Sequence, residues 1–475
     1  MAALGKEITY HDTAGFRQRI ALSAITNRPV SMKDIRVKTE NPGLRPSEAC
    51  ILHILERVSE NVAVDVRNGS TDLLVEPGLL VGRDYAFTVE CPPDRGLVYY
   101  LEFLVMIAPF MKHPANINLE GITDHPHDLS MDAFRTGLNA YTQKIGLPEM
   151  GVNVIRRGLL PEGGGCVQFT CGVLKAVEPF KLIYGGRIAR VRGTVFTCHM
   201  NAIFGTKTIE SARNVLNELL ADVHIYTEPQ SGEKGGKSPG FGLTLVAETV
   251  RSGIVYVADG LIDKNEADQK ELTAREKMQP TFLGRRDLGD LIQQKSARKT
   301  SETITEKLGR EVALRLLAEL CEGGAVDSAF QWLPIYFMAV ADDDKVSRVV
   351  TGRLTQNTVL LLRHINDFLS LRYQIDTHQA ALESLVKLPE QKTESQKTES
   401  QKTDLDVGEK AADKNSHSGD NVKEDLGEET IYDDEDDDPP FSLAAAEGLQ
   451  RARRENRFVL TCRGVGLANI SRVTF

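Results

Sequence analysis

Apolar residues in this chain recur with two periods, and the switch from one to the other divides it into elements. Helical spacing runs through 16–26, where Pro29 ends it, and through 47–60 after the turn at 41–46, Asn-Pro-Gly-Leu-Arg-Pro. It returns over 97–110 and 131–145. Short runs at 30–37, 62–66, 72–75, 115–119, 152–156 and 167–171 read as strands. A similar order comes back late, with helices over 302–321 and near 330–340, a strand at 348–350 and one more helix. The blocks share almost no sequence identity, so a threefold repeat of helix plus strands rests on element order alone.

The last of these helices is the sharpest local prediction. Val349 and Val350 end a strand, Gly352 breaks it, and Thr355 can cap the helix by accepting an N–H of the first turn. Val359, Leu362, Ile365 and Leu369 form the expected inward stripe. Asn357 falls near the start, where unpaired N–H groups and the helix dipole favour an anion.

Between the repeats lies a unit of different rhythm. Strands are expected at 191–198, 224–227, 242–249 and 254–259, with a helix over 208–220 that turns Ala212, Val215, Leu216 and Leu219 inward. This predicts a small αβ insert over about 187–283. Residues 386–455 have no periodicity: Gln-Lys-Thr-Glu-Ser occurs twice, and six consecutive acidic residues follow at 433–438. Such polarity buries too little surface to offset ordering entropy, so disorder is expected. Strand character resumes at 458–462, so the tract interrupts a domain instead of trailing it. The expected division is 1–186 and 284–385 in a large domain, 187–283 as the insert, 386–455 as an acidic insertion, and 456–475 as a final strand of the large domain.

Charge is distributed unevenly along the chain. The chain carries a formal −10, but residues 391–440 alone hold 17 acidic residues against 6 lysines. The remainder is therefore near neutral and can carry basic faces. The first twenty residues include Lys6, Glu7, Asp12 and Arg17 and no apolar run, so no signal peptide is expected. The longest apolar run, 97–111, contains Glu102 and is too short to span a bilayer; a buried helix is expected, and no membrane association. Seven cysteines with no Cys-x-x-Cys argue against disulfides or zinc and fit a reducing compartment.

Several motifs carry chemistry. Gly163, Gly164 and Gly165 follow Arg156, Arg157 and Pro161, and could lay N–H groups on a phosphate or simply turn a hairpin. Gly235-Gly236-Lys237-Ser238 invites a P-loop reading that fails, because residue 231 is Ser and a strand follows; a flexible basic loop is the alternative. Asp124, His125, His127 and Asp128 have the chemistry of metal ligands, yet Pro126 and their crowding argue for a loop, and no metal is assigned. Asp342-Asp343-Asp344-Lys345 reads as a polar loop. Cys166 and Cys171, an odd interval apart on one strand, face opposite sides and cannot pair locally. Basic residues gather at Arg17/Arg19, Arg156/Arg157, Arg187/Arg190/Arg192, Arg285/Arg286 and Lys295/Arg298/Lys299. Each group alone suits a solvated face; converging, they could follow an RNA backbone.

The segment Thr351, Gly352, Leu354, Thr355 resembles the nucleophile motif of RNA 3′-terminal phosphate cyclases, Thr-Gly-x-Leu-Thr-x-His-x-x-Thr, with Asn357 where the histidine belongs. In that family the histidine takes AMP from ATP. An amide cannot be a phosphoramidate nucleophile, so no cyclase chemistry and no cofactor are expected here, and His364, two turns deeper, does not substitute. The stretch from Arg157 to Gly165 is similar to the family's Arg-Gly-x-x-Pro-x-Gly-Gly-Gly. Further matches are 16–19, 41–45, 77–80, 99–102, 108–114, 236–242 with 245–249, and 464–471. The family's Glu-Gly-Gly-Gly-Gln looks replaced by 13–17, and its Asp-Gln pair by Phe330-Gln331.

The resemblance is strongest to the cyclase-like branch and covers essentially everything except 380–455. It implies a mixed α/β (α+β) fold, a large domain of three sheet-plus-two-helix units with a smaller αβ domain inserted. It also implies a nucleolar or nuclear role in pre-rRNA processing toward 18S rRNA. The implied partners are a GTPase and proteins of the small-subunit processome, with pre-rRNA as ligand. Branch members have been proposed to cut pre-rRNA themselves, but no catalytic residue for that is identifiable here. The anion or RNA-backbone candidates are Arg17, Arg19, Arg45, Arg156, Arg157, Gly163, Gly164, Gly165 and Lys237.

Overall fold

Three sheets in this protein repeat one strand plan. The computed structural model describes residues 6–83, 85–250, 252–263, 303–377, 457–467 and 469. The acidic tract and the basic groups at 285–299 lie outside these residues. The first unit runs β1 (Ile8–Tyr10), α1 (Phe16–Thr26), β2 (Val30–Met32), α2 (Pro46–Val58), then β4 (Ala63–Arg67) and β5 (Asp72–Glu76), with a small ladder of β3 (Ser59–Glu60) and β6 (Leu79–Leu80) beside it. Its sheet has the order β1-β2-β5-β4, β1 parallel to β2 and the other pairs antiparallel. A helix on the crossover makes the parallel pair possible, and a hairpin returns the last strand to the middle.

The second unit repeats this with β7 (Phe87–Glu90), α3 (Leu97–Ile107), β8 (Ala115–Gly121), α4 (Met131–Ile145), β9 (Met150–Arg156) and β10 (Gly165–Cys171), in the order β7-β8-β10-β9. The third sheet opens with β11 (Lys181–Leu182) and is interrupted by the insert. The insert's sheet consists of β12 (Ile188–Cys198), β13 (Val223–Gln230), β14 (Gly240–Thr249) and β15 (Val255–Asp263), backed by α5 (Ala202–Leu216) and α6 (Ile304–Glu322). The third sheet then resumes with α7 (Trp332–Val340), β16 (Ser347–Thr351), α8 (Gln356–Leu369), β17 (Gln374–Thr377) and β18 (Phe458–Cys462). Its order β11-β16-β18-β17 again places the last strand inside, where β18 pairs with both β16 and β17.

Apolar runs fill the space between the sheets. Every residue of α7 is buried, and so is all of α3 except Glu102. The deepest tyrosines pair their hydroxyls with backbone: Tyr336 donates to Met106 O at 3.0 Å and Tyr141 to Val255 O at 2.6 Å. A buried hydroxyl left alone would cost about 1–3 kcal/mol. All seven cysteines are buried thiols.

Four expectations need correction. The run 30–37 stops being a strand at Met32, because Asp34 and Arg36 take positive φ and Arg36 turns in to bind Glu48 and Gly43 O. α5 begins at Ala202, where the Asn201 side chain caps Ile203 N at 3.0 Å, and its buried face is Gly205, Thr208, Ile209, Ala212 and Leu216; Val215 and Leu219 are only half-buried. α6, grouped by sequence order with the third repeat, packs on α5, β14 and β15; a Cβ on Gly309 would meet Thr208 O at 2.3 Å, so the two helices touch through that glycine. The buried stripe of α8 is Thr358, Leu361, His364, Ile365 and Phe368, rotated from the expected one so that a histidine faces inward.

Candidate functional site

The start of α8 is clamped from beneath. Gln331, 1% exposed, accepts from Thr355 N at 3.1 Å and from the Thr358 hydroxyl at 2.9 Å, and donates to Arg353 O at 2.9 Å. Thr355 caps the helix as expected, its hydroxyl accepting from Thr358 N at 3.2 Å. Asn357 is thereby held on the exposed first turn.

A chain of hydrogen bonds runs inward from Asn357. Its Oδ1 accepts from Gln18 Nε2 at 2.9 Å. Gln18 Oε1 is 3.1 Å from His364 Nδ1, and His364 Nε2 is 3.0 Å from Arg19 Nε. A guanidinium can only donate, so Nε2 is the acceptor and the ring proton sits on Nδ1, donated to Gln18; the tautomer is inferred from these partners. Arg19, 3% exposed, also donates to Asp12 O at 2.6 Å and Asp12 Oδ1 at 2.7 Å, and lies 3.8 Å over the Tyr10 ring. Burial first, then the neighbouring Arg19 charge, lowers the His364 pKa to about 4, so the ring is neutral. Gly15 permits the approach: it has φ +66°, and a Cβ there would meet His364 Cε1 at 2.5 Å.

Above this chain is a crevice lined by Arg17, Gln18, Glu102, Met106, Trp332, Asn357 and Leu361. Its volume is about 10 Å³, near the space of one water, whereas small-molecule sites span about 300–1,000 Å³. Arg17 closes one side by pairing with Glu102 at 2.5 Å and donating to Tyr99 O at 3.1 Å. Its guanidinium lies 4.2 Å from the Tyr99 ring centre, and Arg95, bound to Asp128, lies at the same distance from that ring. Burial pushes the Glu102 carboxyl up, with Arg17 opposing.

A second cluster joins the second repeat to the insert. Arg157, 4% exposed, contacts Asp124 at 3.4 Å, Asp132, and Glu228 at 3.8 Å, and stands 4.2 Å over Phe196. Burial would lower its pKa, but Asp124 and Asp132 outweigh that and raise it. Arg156 donates to Gly164 O, Lys237 N donates to Gly163 O at 3.2 Å, and the Lys237 side chain lies against Gly164. Gly163 N is spent on Leu159 O at 2.8 Å, and Gly165 enters β10. The glycine run is thus a close-packed turn under a lysine. Arg45 is exposed, and its backbone N–H donates to Glu48.

The structure therefore brings Arg17 and Arg19 to the Asn357 end, gathers Arg156, Arg157, the three glycines and Lys237 at the insert, and leaves Arg45 apart. Arg190 and Arg192 are paired with Glu248 and Asp222 at 2.7 and 2.9 Å. Asp124 binds Thr123 and Met131 N as well as Arg157, and Asp128 binds Arg95 and Gly96 N, so both carboxylates serve the loop. No group of three or more metal-ligating side chains occurs among the described residues. Sequence reasoning missed the roles of Gln18 and His364. The available signal was polar residues on otherwise apolar helix faces, at Gln18-Arg19 before the 20–25 run and at His364 beside Ile365.

This chain belongs to the RNA 3′-terminal phosphate cyclase family, which matches residues 9–375. Within it, the chain is similar to the RNA 3′-terminal phosphate cyclase-like proteins of Bos taurus and Homo sapiens, 35% and 34% identical over 379 residues, covering 79% of this chain and 92% of each relative. It is 27% identical over 378 residues to the rRNA processing protein rcl1 of Schizosaccharomyces pombe, covering 78% of this chain and 93% of that one.

Proposed function

We propose that this chain is a non-cyclase assembly factor of the small-subunit processome, required for pre-rRNA processing toward 18S rRNA and working in the nucleolus with a processome GTPase. The observation that carries the reading is the state of the former nucleophile position: an amide whose carbonyl is tied to Gln18, over a crevice with room for about one water. A fold with an amide in place of its attacking group still offers its surfaces to partners. The name of the Schizosaccharomyces pombe relative supports the link to rRNA. In this reading 1–186, 284–385 and 456–475 form the large domain and 187–283 the insert, although α6 leans on the insert. Of the candidate cations, Arg45 and Lys237 are exposed and Arg156 is partly exposed, and in this reading they meet an RNA backbone. Among the described residues no helix is long and apolar enough to cross a membrane.

The test is depletion with rescue. Cells lacking the protein accumulate precursors of 18S rRNA, and the intact chain restores processing and co-purifies with a processome GTPase. Normal 18S maturation after depletion contradicts the proposal.

A further inference from the structure

A groove of about 600 Å³ lies at one end of the second unit's sheet and shares no residue with the Asn357 crevice. That volume is in the range of small-ligand sites. The groove crosses β8, β10 and β9 at Asn116, Thr170 and Gly151, and Arg83 and Glu149 also line it. Alternation along β8 sends Ala115, Ile117 and Leu119 into the core and turns Asn116, Asn118 and Glu120 to the outer face. Gly151 keeps the floor low: a Cβ there would stand 2.4 Å from the Thr170 hydroxyl oxygen. The groups on offer are side chains. β8 pairs with β7 and β10, and β10 with β8 and β9, so both ladders are already used and no further strand can be added to them. Asn116 Oδ1 accepts from Gln168 Nε2 at 3.1 Å, which fixes the amide and leaves its amino group without a partner among the described residues. Arg83 is held through Nε, which donates to Arg57 O at 2.8 Å; among the described residues its two terminal nitrogens have no partner. Beyond the groove the outer face stays uncharged for one row, Thr88, Asn118, Gln168 and Asn153 lying side by side across the sheet. It then turns acidic at the facing pair Glu90 and Glu120. A cation at the near end, an uncharged floor and paired glutamates at the far end suit a ligand with one anionic group and a neutral hydrogen-bonding body.

We propose that this groove holds one unpaired nucleotide of single-stranded RNA, its base read edge-on by Asn116, Thr170 and Glu149 and its phosphate met by Arg83. The proposal rests on the RNA reading above and adds where a strand is read. Base edges carry neutral donors and acceptors that an amide, a hydroxyl and a carboxylate can match, and those edges are free only in unpaired RNA. None of the lining residues is aromatic, so the base is held by its edges and not by stacking. A peptide fits less well. The only apolar side chains on the lining are Pro114, Ala115 and the buried Cys171, which leave no pocket for an anchor residue, and the ladders beneath are closed.

Binding of a fluorescein-labelled, unstructured oligoribonucleotide to the full-length protein is followed by anisotropy across a salt series. Arg83→Gln should weaken binding about tenfold and lower the slope of log affinity against log salt by about 0.7, the share of one phosphate on a single strand. Arg83→Lys should keep the slope. Asn116→Leu and Thr170→Val should each weaken binding about three- to tenfold and leave the slope unchanged, because they remove neutral contacts. If the half-buried Asn116 does not tolerate leucine, Thr170→Val at an exposed position decides. Binding that these substitutions leave unchanged while Lys237→Gln weakens it would overturn the groove and leave the RNA reading standing. No saturable binding by the unaltered protein would also overturn the groove, and the depletion experiment would then judge the wider function by itself.

Discussion

Acid should weaken this fold through one side chain. His364 is 2% exposed, and the groups facing it are Arg19, Asp12, Gln18, Tyr10 and, from its own helix, Arg363. Burial, then Arg19, lowers its pKa from 6.5 to about 4; Asp12 opposes. A histidine whose folded pKa lies below its unfolded value binds fewer protons when folded. The stability it confers is therefore present above about pH 6.5 and lost as pH falls toward 4. Linkage between those two values removes about 2 kcal/mol between pH 7 and pH 5, and about 3 kcal/mol in full. The buried acids Asp124, Asp259 and Glu319, all raised chiefly by burial, tilt stability the other way, so a variant comparison is needed. In His364→Gln the amide oxygen can still accept from Arg19 but cannot titrate. Urea unfolding of both proteins at pH 7, 6 and 5 should show the wild type losing about 2 kcal/mol more than the variant. Equal losses would rule out His364 as the source of the acid sensitivity.

Other perturbations probe neighbouring contacts. Gln331→Ala removes the side-chain partner of Thr355 N and Arg353 O and leaves the Thr358 hydroxyl only its contact with the Thr355 hydroxyl, and should cost about 2–4 kcal/mol in chemical denaturation. Arg157→Met leaves Asp124 buried without its cation and Asp132 with Arg135 alone; about 3–5 kcal/mol is expected, with the insert showing faster amide exchange. Gly15→Ala combines a positive φ with a clash against His364, and should lower the melting temperature by several degrees, corresponding to about 2 kcal/mol. Asn357→His alone should gain no adenylylation, because the Arg17–Glu102 pair and Trp332 still line a crevice of about 10 Å³; radiolabel transfer from ATP is the assay.

Local rules carried well where one period dominated. The 16–26 and 131–145 runs became α1 and α4 with the expected bounds, and the Thr355 cap formed as its hydroxyl predicted. They failed where a tertiary contact chose between nearly equal local options. α8 has leucines at 360, 361, 362 and 369, so hydrophobicity alone could not fix its rotation; the ion-paired Arg19 did, by drawing His364 inward. Likewise, nothing local told α6 to pack on α5. That depended on Gly309 meeting a helix almost a hundred residues earlier. At the site, Asn357 stood out in its motif. The narrow crevice beside it did not, because Arg17, Glu102 and Trp332 come from three distant segments. For the glycine run, spacing cannot say whether an amide is free; Gly163 N is spent on Leu159 O.

The proposed function requires that Asn357 and the crevice beside it take no AMP from ATP. Incubating the purified full-length protein with ATP labelled at the α-phosphate, then denaturing it and measuring bound label, tests this most directly. No covalent label on any side chain is expected. A stable protein–AMP adduct, formed without any substitution, would contradict it.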